Sequence, residues 1–327
     1  MVDAAETARA LVYTGRGAAE IRPVVLPPFV EGMVEVVAEY GALSRGTERL
    51  VFEGRVPESE WQRMRAPFQD GAFPFPVKYG YATVGRVERG PDTLIGRRVF
   101  ALYPHQTRFR LPAEAVVPVP DAVPAARAVL AANAETALNA IWDGAPAPGD
   151  RVLVVGAGLL GCLIAIFLAN RAELSVRICD VLEARRPLFS DVNLTFLLPT
   201  EVPDDHVLAF HTSASAAGLE TALDALAFEG TAVELSWYGD RPVPLHLGGA
   251  FHARRLKIVS SQVGHVAPSR RASMTHRDRL AAALALLSDP RVERLVTREV
   301  PFDELPGALA GLLAPEATGI ATRIVYG

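Results

Sequence analysis

The sequence predicts an α/β protein in which a doubly wound parallel sheet is joined to a second, β-rich domain. Three observations predict this class. A Gly156-x-Gly158-x-x-Gly161 motif lies mid-chain, between a β-branched run and a long apolar segment. Beyond the motif, strand-like and helix-like segments alternate, which is typical of a parallel sheet covered on both faces. Ahead of the motif lie short alternating segments separated by Gly and Pro, which is typical of an all-β region.

Composition limits the classes of function. The 327 residues are 50% hydrophobic, enough for about two domains with buried cores. The net charge of −4 argues against a broad nucleic-acid surface. The cysteines Cys162 and Cys179 lie in predicted buried elements, so we expect no disulfide framework. Met1–Ala10 lacks the apolar core of a signal peptide, and Leu159–Ala169 is too short to span a bilayer. We therefore expect a cytoplasmic protein that binds no membrane.

The elements follow in chain order. In the leading part, apolar–polar alternation predicts strands at Met33–Glu39, Thr83–Glu88, Arg97–Leu102 and Ala115–Val119, and only Glu58–Arg65 has a helical pattern. The Ala-rich segment Pro124–Trp142 predicts a helix. Strands are then predicted at Leu174–Cys179, Val207–Phe210, Thr231–Trp237 and Leu256–Ser260, with helices at Ala217–Leu226, Arg277–Leu287 and Asp303–Leu313. A closing strand at Ile320–Tyr326 is expected to return to the N-terminal domain.

The glycine motif predicts a bound dinucleotide. Gly156 suits a tight turn, Gly158 lets a pyrophosphate approach the backbone, and Gly161 lets the helix pack closely on the strand. The backbone N–H groups at the helix start, at Gly158, Leu159 and Leu160, would hold the phosphates. The alternative interpretation is a glycine-rich turn with a purely structural role.

Asp180 extends this prediction to the adenosine ribose. It follows the second predicted strand at the spacing where an acid bonds the ribose hydroxyls, and its charge would repel a 2′-phosphate. Arg185 and Arg186 follow closely and would weaken that repulsion. NAD(H) is therefore the favoured cofactor and NADP(H) the alternative.

Three further stretches resemble a known superfamily. Gly80-Tyr81-Ala82-Thr83-Val84-Gly85 resembles a Gly-His-Glu-x-x-Gly stretch, Gly96-Arg97-Arg98-Val99 resembles Gly-Asp-Arg-Val, and residues 250–258 resemble a phenylalanine-plus-basic lead into the last sheet strand. With the glycine motif, they make the chain similar to the medium-chain dehydrogenase/reductase, or alcohol-dehydrogenase-like, superfamily. The resemblance implies a central Rossmann domain, placed at 125–263, and a β-rich GroES-like domain at 1–124 completed by 264–327.

The chain departs from that pattern at the zinc ligands. Where classical members hold a Cys, a His-Glu pair and a second Cys or acid, this chain has Ser44, Tyr81-Ala82 and Ala132, and the lobe that carries structural cysteines is absent. Zinc needs a closed set of thiolate, imidazole or carboxylate ligands, which Glu48 and His105 alone would not replace. We therefore expect no catalytic zinc.

Three further motifs resemble one branch of this superfamily more specifically. Ser44–Arg49, Gly54–Pro57 and Tyr79–Tyr81 are similar to a zinc-free branch that includes the bacteriochlorophyllide hydroxyethyl dehydrogenase of pigment synthesis. The insertion Glu58–Phe75 and the segment Phe100–Phe109 look different, so the match implies a related group rather than that enzyme.

Four residues are candidates for metal-free catalysis. The Tyr81 hydroxyl either reaches the substrate or fills the emptied metal cavity. Ser44 either bonds the substrate oxygen or caps a turn. Lys78 either lowers the pKa of a neighbouring tyrosine or is a surface lysine. His105 is either a proton shuttle or a solvent-facing loop residue.

Other polar residues are assigned to the cofactor or to the fold. Thr47 and Glu48 would contact the nicotinamide half of the cofactor by position, or else serve as a helix N-cap and a first-turn acid. Thr136, on the Ala-rich helix, joins the predicted cofactor contacts. His206 and His211 are expected to be structural.

These expectations define the predicted function. The chain would be a zinc-independent, NAD(P)-dependent oxidoreductase that interconverts a secondary alcohol and a ketone on a medium-sized, partly apolar substrate. The aromatic-rich segment Arg55–Phe75 is long for a connection and would form a lid, or else a helical insert packed on the β domain. The alternatives are a reductase of quinones or activated C=C bonds, and a non-catalytic NAD(P)-binding sensor. We expect a homodimer formed through the edge of the Rossmann sheet.

Overall fold

The computed structural model describes residues 6–327, so the start of the segment Met1–Ala10 lies outside the described residues. The chain divides into two compact units, one running to Ala132 and resuming at Val296–Gly327, the other covering Asn133–Leu295. The sequence placed the boundaries earlier, at 124/125 and 263/264. The difference arises because residues 264–295 are held within the second unit, for example by the buried Arg279–Glu135 ion pair.

The elements have the following bounds. The strands are β1 (Thr7–Gly15), β2 (Ala18–Val25), β3 (Met33–Leu43), β4 (Asp70–Gly71), β5 (Val77–Lys78), β6 (Thr83–Arg89), β7 (Arg98–Ala101), β8 (Arg108–Pro112), β9 (Val116–Pro118), β10 (Arg151–Val155), β11 (Ser175–Cys179), β12 (Thr195–Leu197), β13 (His206–His211), β14 (Leu226–Glu234), β15 (Lys257–Ser260), β16 (Val296–Pro301) and β17 (Ala321–Val325). The α-helices are α1 (Arg45–Phe52), α2 (Ala125–Ala128), α3 (Ala131–Gly144), α4 (Leu159–Ala169), α5 (Ala216–Asp224), α6 (Ala250–Ala253), α7 (His276–Leu286) and α8 (Leu305–Leu313).

The second unit is built on a six-stranded sheet with the order β12-β11-β10-β13-β14-β15. All five strand pairs are parallel. Counted from β10, this is the 3-2-1-4-5-6 order of the Rossmann fold, with the strand order reversing between β10 and β13. The predicted fold class is confirmed.

The first unit contains two sheets. One has the order β16-β17-β3-β6-β7-β9, with β8 pairing β3, and the other has the order β2-β1-β5-β4. The closing strand β17 runs antiparallel to β3, with Ile324 opposite Gly41. The C-terminal segment therefore returns to the β-rich unit, as the sequence predicts.

Some elements differ from the predictions. Pro124–Trp142 forms two helices, α2 and α3, rather than one. Only Glu58–Glu60 of the segment Glu58–Arg65 is helical, as a short 3₁₀ turn. Strand β2 was missed because its residues are mostly exposed and show no apolar alternation. No helix in residues 6–327 is long and apolar enough to cross a membrane.

Candidate functional site

The glycine loop joins β10 to α4. Gly156 has φ +103°, a left-handed conformation that favours glycine, and its N–H donates to the Cys179 carbonyl at 2.8 Å. A Cβ at Gly156 would lie 2.9 Å from the backbone nitrogen of Ser213. The tight turn therefore needs glycine at this position.

Gly161 and Gly158 have opposite surroundings. A Cβ at Gly161 would overlap the Gly156 carbonyl oxygen, so the helix packs directly on the loop. A Cβ at Gly158 would meet no atom of residues 6–327 within 4 Å. Gly158, Leu159 and Leu160 are also partly exposed, although the rest of α4 is buried. The start of α4 is thus open, and its first N–H groups lack helical partners, which fits a bound pyrophosphate.

Asp180 is bonded to this loop and to an arginine. Its carboxylate accepts hydrogen bonds from the N–H groups of Ala157 at 2.7 Å and Leu182 at 2.9 Å. Arg185 Nη1 lies 2.7 Å from Asp180 Oδ2, whereas Arg186 pairs with Glu183. Arg185 therefore opposes the charge of Asp180.

A cluster of three hydroxyls lies in the first unit, and we call Ser44, Thr47 and Tyr81 the hydroxyl cluster. Burial raises the pKa of Tyr81 to about 12, although hydrogen bonds from Ser44 and Thr47 act in the opposite direction. Tyr81 is partly exposed, and Ser44 is buried. Tyr81 is thus a protonated hydroxyl at neutral pH.

The cluster stands at the start of α1. The helix begins at Arg45, with Ser44 in the N-cap position, but the Ser44 side chain makes no capping bond. Thr47 lies within the first turn, so the interpretation of Thr47 as N-cap is wrong. Glu48 is a first-turn acid, as one interpretation predicted, and its Oε1 accepts the Ser44 N–H at 2.7 Å.

A fully buried acid network lies beside the cluster. Glu48 Oε2 accepts the Tyr13 hydroxyl at 2.7 Å and lies 2.9 Å from His105 Nε2. Burial alone would raise the pKa of Glu48, but the His105 ring, the Ser44 N–H and the Tyr13 hydroxyl lower it below its usual value. We call Glu48, His105 and Tyr13 the buried acid network.

The network supports the segment that carries Tyr81. Gly80 has φ +119°, and a Cβ there would lie 2.8 Å from the His105 ring. The ring thus packs against the backbone next to Tyr81. His105 is fully buried, so its interpretation as a solvent-facing residue is wrong.

Lys78 and Thr136 are further residues predicted for catalysis and cofactor binding. The Lys78 side chain is only 11% exposed, so it is not an ordinary surface lysine. It donates to Gln106 and lies 5.7 Å from the Tyr103 ring centre. Burial raises the pKa of Tyr103 to about 12, so Lys78 does not make this tyrosine acidic. Thr136 lies on α3 in the second unit, and its contact with a cofactor stays a prediction.

The residues at the expected metal position do not form a zinc ligand set. Ser44, Tyr81 and Ala82 supply hydroxyls and a methyl group, and Ala132 is a buried methyl. The Glu48 carboxylate is already bonded to three groups of the protein. Within residues 6–327, no group of three or more His, Cys, Asp or Glu side chains could hold a metal ion.

Sequence reasoning missed two sets of polar residues. Tyr13 lies far from Glu48 in sequence, and no local pattern links them. His211, expected to be structural, bonds Ser213 and Glu234 at the carboxyl ends of β13 and β14. The His211-x-Ser213 pair directly after the predicted strand Val207–Phe210 was an available signal, because functional side chains gather at the carboxyl ends of parallel strands.

Solved dehydrogenases share this fold. A short chain alcohol dehydrogenase from E. coli CFT073, solved with NADH, has a TM-score of 0.76 at 16% identity, over 98% of this chain and 99% of that chain. L-idonate 5-dehydrogenase from Escherichia coli K-12 has a TM-score of 0.78 at 14% identity, over 98% and 99%. A Sinorhizobium meliloti 1021 structure, described as a zinc-binding dehydrogenase bound to NADP, has a TM-score of 0.76 at 16% identity, over 98% and 99%.

These likenesses establish the class of fold. The chain has the two-domain architecture of alcohol-dehydrogenase-like proteins with a Rossmann domain. The sequence matches no family model and no curated protein.

Proposed function

We propose that this chain is a zinc-independent, NAD(P)(H)-dependent oxidoreductase that interconverts a secondary alcohol and a ketone. The observation that carries the proposal is the hydroxyl cluster. Ser44 and Tyr81 stand where the resemblance places zinc ligands, and Thr47 joins them by a hydrogen bond to Tyr81. The cluster offers proton donors in place of a metal.

The chemistry of the cluster follows from its charge state. The nicotinamide ring supplies the hydride when bound. Reduction of a ketone builds negative charge on its oxygen, which needs a proton donor. Tyr81 holds its proton at neutral pH because burial raises its pKa to about 12. Ser44 and Thr47 hydrogen-bond its oxygen and would stabilise the phenolate that proton transfer leaves behind.

The glycine loop and Asp180 support the cofactor half of the proposal. Gly158 leaves open space above the helix start, and Asp180 lies at the end of β11 for the adenosine ribose. We favour NAD(H). NADP(H) is the alternative, because Arg185 pairs with Asp180 and would weaken its repulsion of a 2′-phosphate. Among the structural neighbours, one is solved with NADH and one with NADP.

The finer assignments are also proposals. The similarity of Ser44–Arg49 and Tyr79–Tyr81 to the zinc-free branch supports a metal-free mechanism. The exposed ring of Phe68, which stacks on Tyr103, supports a partly apolar substrate. Among residues 6–327, strand β15 pairs only with β14. This free sheet edge supports a homodimer, which light scattering after gel filtration would test.

Two experiments test the function. Fluorescence titration with NADH and NADPH should show saturable binding, and binding of neither would refute the cofactor site. A panel of secondary alcohols, ketones, enones and quinones then identifies the reaction. Turnover of alcohols and ketones supports the proposal. Turnover confined to enones or quinones would replace it with the C=C or quinone reductase, and cofactor binding without turnover would favour the sensor.

A further inference from the structure

A serine, a histidine and a glutamate form a hydrogen-bonded series at the carboxyl ends of β13 and β14. Ser213 Oγ lies 2.6 Å from His211 Nε2, and His211 Nδ1 lies 2.8 Å from Glu234 Oε2. The His211 ring is fully buried, the Glu234 side chain is 14% exposed, and Ser213 is exposed. The series therefore runs from a largely buried carboxylate to a hydroxyl that reaches solvent.

Strand register explains this arrangement. His211 is the last residue of β13 and lies opposite Glu234 in the parallel β13–β14 pair. Partners in register present their side chains to the same face of the sheet. Ser213 follows His211 by two residues, which keeps its hydroxyl within reach of the ring.

The carboxylate fixes the role of each ring nitrogen. Glu234 also accepts the Ser236 N–H at 2.6 Å and the Tyr238 hydroxyl at 3.1 Å. Burial alone would raise its pKa, but bonds from His211 and Ser236 lower it, so Glu234 is an anion at neutral pH. An anionic carboxylate only accepts, so the ring nitrogen that faces it, Nδ1, carries a proton. Nε2 is then free to accept the proton of Ser213.

The serine hydroxyl sits over the first turn of α5. A Cβ at Gly218 would overlap Ser213 Oγ and would lie 2.9 Å from Ser215 Oγ. Glycine at 218 thus makes the space that the hydroxyl occupies. The nine-residue helix α5 directs the positive end of its dipole toward this turn, which stabilises negative charge on or near Ser213 Oγ.

We propose that Ser213 is an activated nucleophile, with His211 as its general base and Glu234 as the residue that orients the base. The two distances match the nucleophile–base and base–orienter bonds of serine hydrolases. The site would accept small carboxylic esters. This inference goes beyond the proposed oxidoreductase function and requires no cofactor.

The reaction needs only the ester and one water molecule. Ser213 Oγ attacks the ester carbonyl carbon while its proton passes to His211 Nε2, and a tetrahedral oxyanion forms at the start of α5. The C–O bond to the leaving group breaks, and His211 returns the proton to the departing alkoxide. Water then hydrolyses the acyl-serine by the same path and releases the carboxylic acid.

Labelling with a fluorophosphonate, without added cofactor, tests the proposal. The probe should modify Ser213, mapped by peptide mass spectrometry, and should leave Ser215 unmodified. Ser215 is a control within the same molecule, because it is exposed at the same helix start but bonds Ser213 rather than His211. p-Nitrophenyl acetate should give a burst of one p-nitrophenol per chain, which Ser213→Ala abolishes.

Two variants distinguish activation of Ser213 by His211 from labelling that depends only on the solvent exposure of Ser213. His211→Gln should slow labelling by about a hundredfold or more, since a general base contributes about 10²–10⁴ in rate. Gly218→Ala places a methyl group that overlaps Ser213 Oγ and lies 3.0 Å from His211 Nε2. It should therefore break the Ser213–His211 bond and slow labelling, whether or not His211→Gln folds. Absence of labelling on Ser213, equal labelling of Ser215, or an unchanged rate in both variants would overturn the proposal.

Discussion

Gly158→Ala and Gly161→Ala should separate cofactor binding from folding. A Cβ at Gly161 would overlap the Gly156 carbonyl oxygen, and the closest contact of real Cβ atoms is 3.0 Å. The helix and the loop must therefore move apart by on the order of 1 Å. Such overpacking costs about 3 kcal/mol, the upper end of the usual range. At about 2–4 °C per kcal/mol, the melting temperature of Gly161→Ala should fall by about 6–12 °C.

Gly158→Ala should behave in the opposite way. Its methyl group meets no atom of the described part of the chain within 4 Å, and φ at Gly158 is −73°, which alanine adopts readily. Alanine is a poorer N-cap than glycine, which costs less than about 1 kcal/mol. The methyl group fills the approach of the pyrophosphate, however, and loss of one charged hydrogen bond costs about 1.5–3 kcal/mol. The Kd for NADH should rise by about 10- to 100-fold.

Calorimetric melting and NADH fluorescence titration of both variants provide the assay. The reasoning is refuted if Gly158→Ala binds NADH as tightly as the parent protein. It is equally refuted if Gly161→Ala melts at the parental temperature, because the loop and helix would then not be packed as described.

Three further variants test other parts of the site. Tyr81→Phe should slow ketone reduction by about 10²–10⁴-fold and leave NADH affinity unchanged. The parent protein should keep its rate up to pH 10, because the pKa of Tyr81 is about 12. Unchanged turnover in Tyr81→Phe would show that Tyr81 only packs against its neighbours. Arg185→Ala should weaken NADPH binding about tenfold more than NADH binding, measured by paired titrations, because it leaves Asp180 unopposed. Glu48→Gln should cost about 3 kcal/mol of unfolding free energy at pH 7. The lowered pKa of Glu48 stabilises the fold above its usual value of 4.5, so this difference should shrink as pH falls below 4.5 in urea titrations, and a pH-independent difference would contradict it.

The parts of the site that local spacing determines could be predicted from the sequence. Gly156 and Gly161 have the tight turn and the close packing that the motif implies, because the motif spacing sets the positive φ of Gly156 and brings Gly161 against the Gly156 carbonyl. Asp180 contacts the same loop because it directly follows β11, the strand that pairs with β10 in the sheet. The alternation of strands and helices likewise predicted the parallel sheet.

The remainder depends on contacts between distant segments. His105 meets Glu48 across 57 residues, and the sequence gives no pattern that joins them. Arg279 lies on the helix predicted at Arg277–Leu287, and it is buried against Glu135 and Asn139, which lie more than a hundred residues earlier in the chain. These bonds explain why the second unit extends to Leu295.

The most direct test of a metal-free hydroxyl cluster is the turnover of chelator-treated protein whose zinc content has been measured. With the alcohol or ketone identified by the panel, the account predicts full NAD(P)H-linked turnover at far less than one zinc per chain. Activity that disappears with chelation and returns with one equivalent of zinc would contradict it.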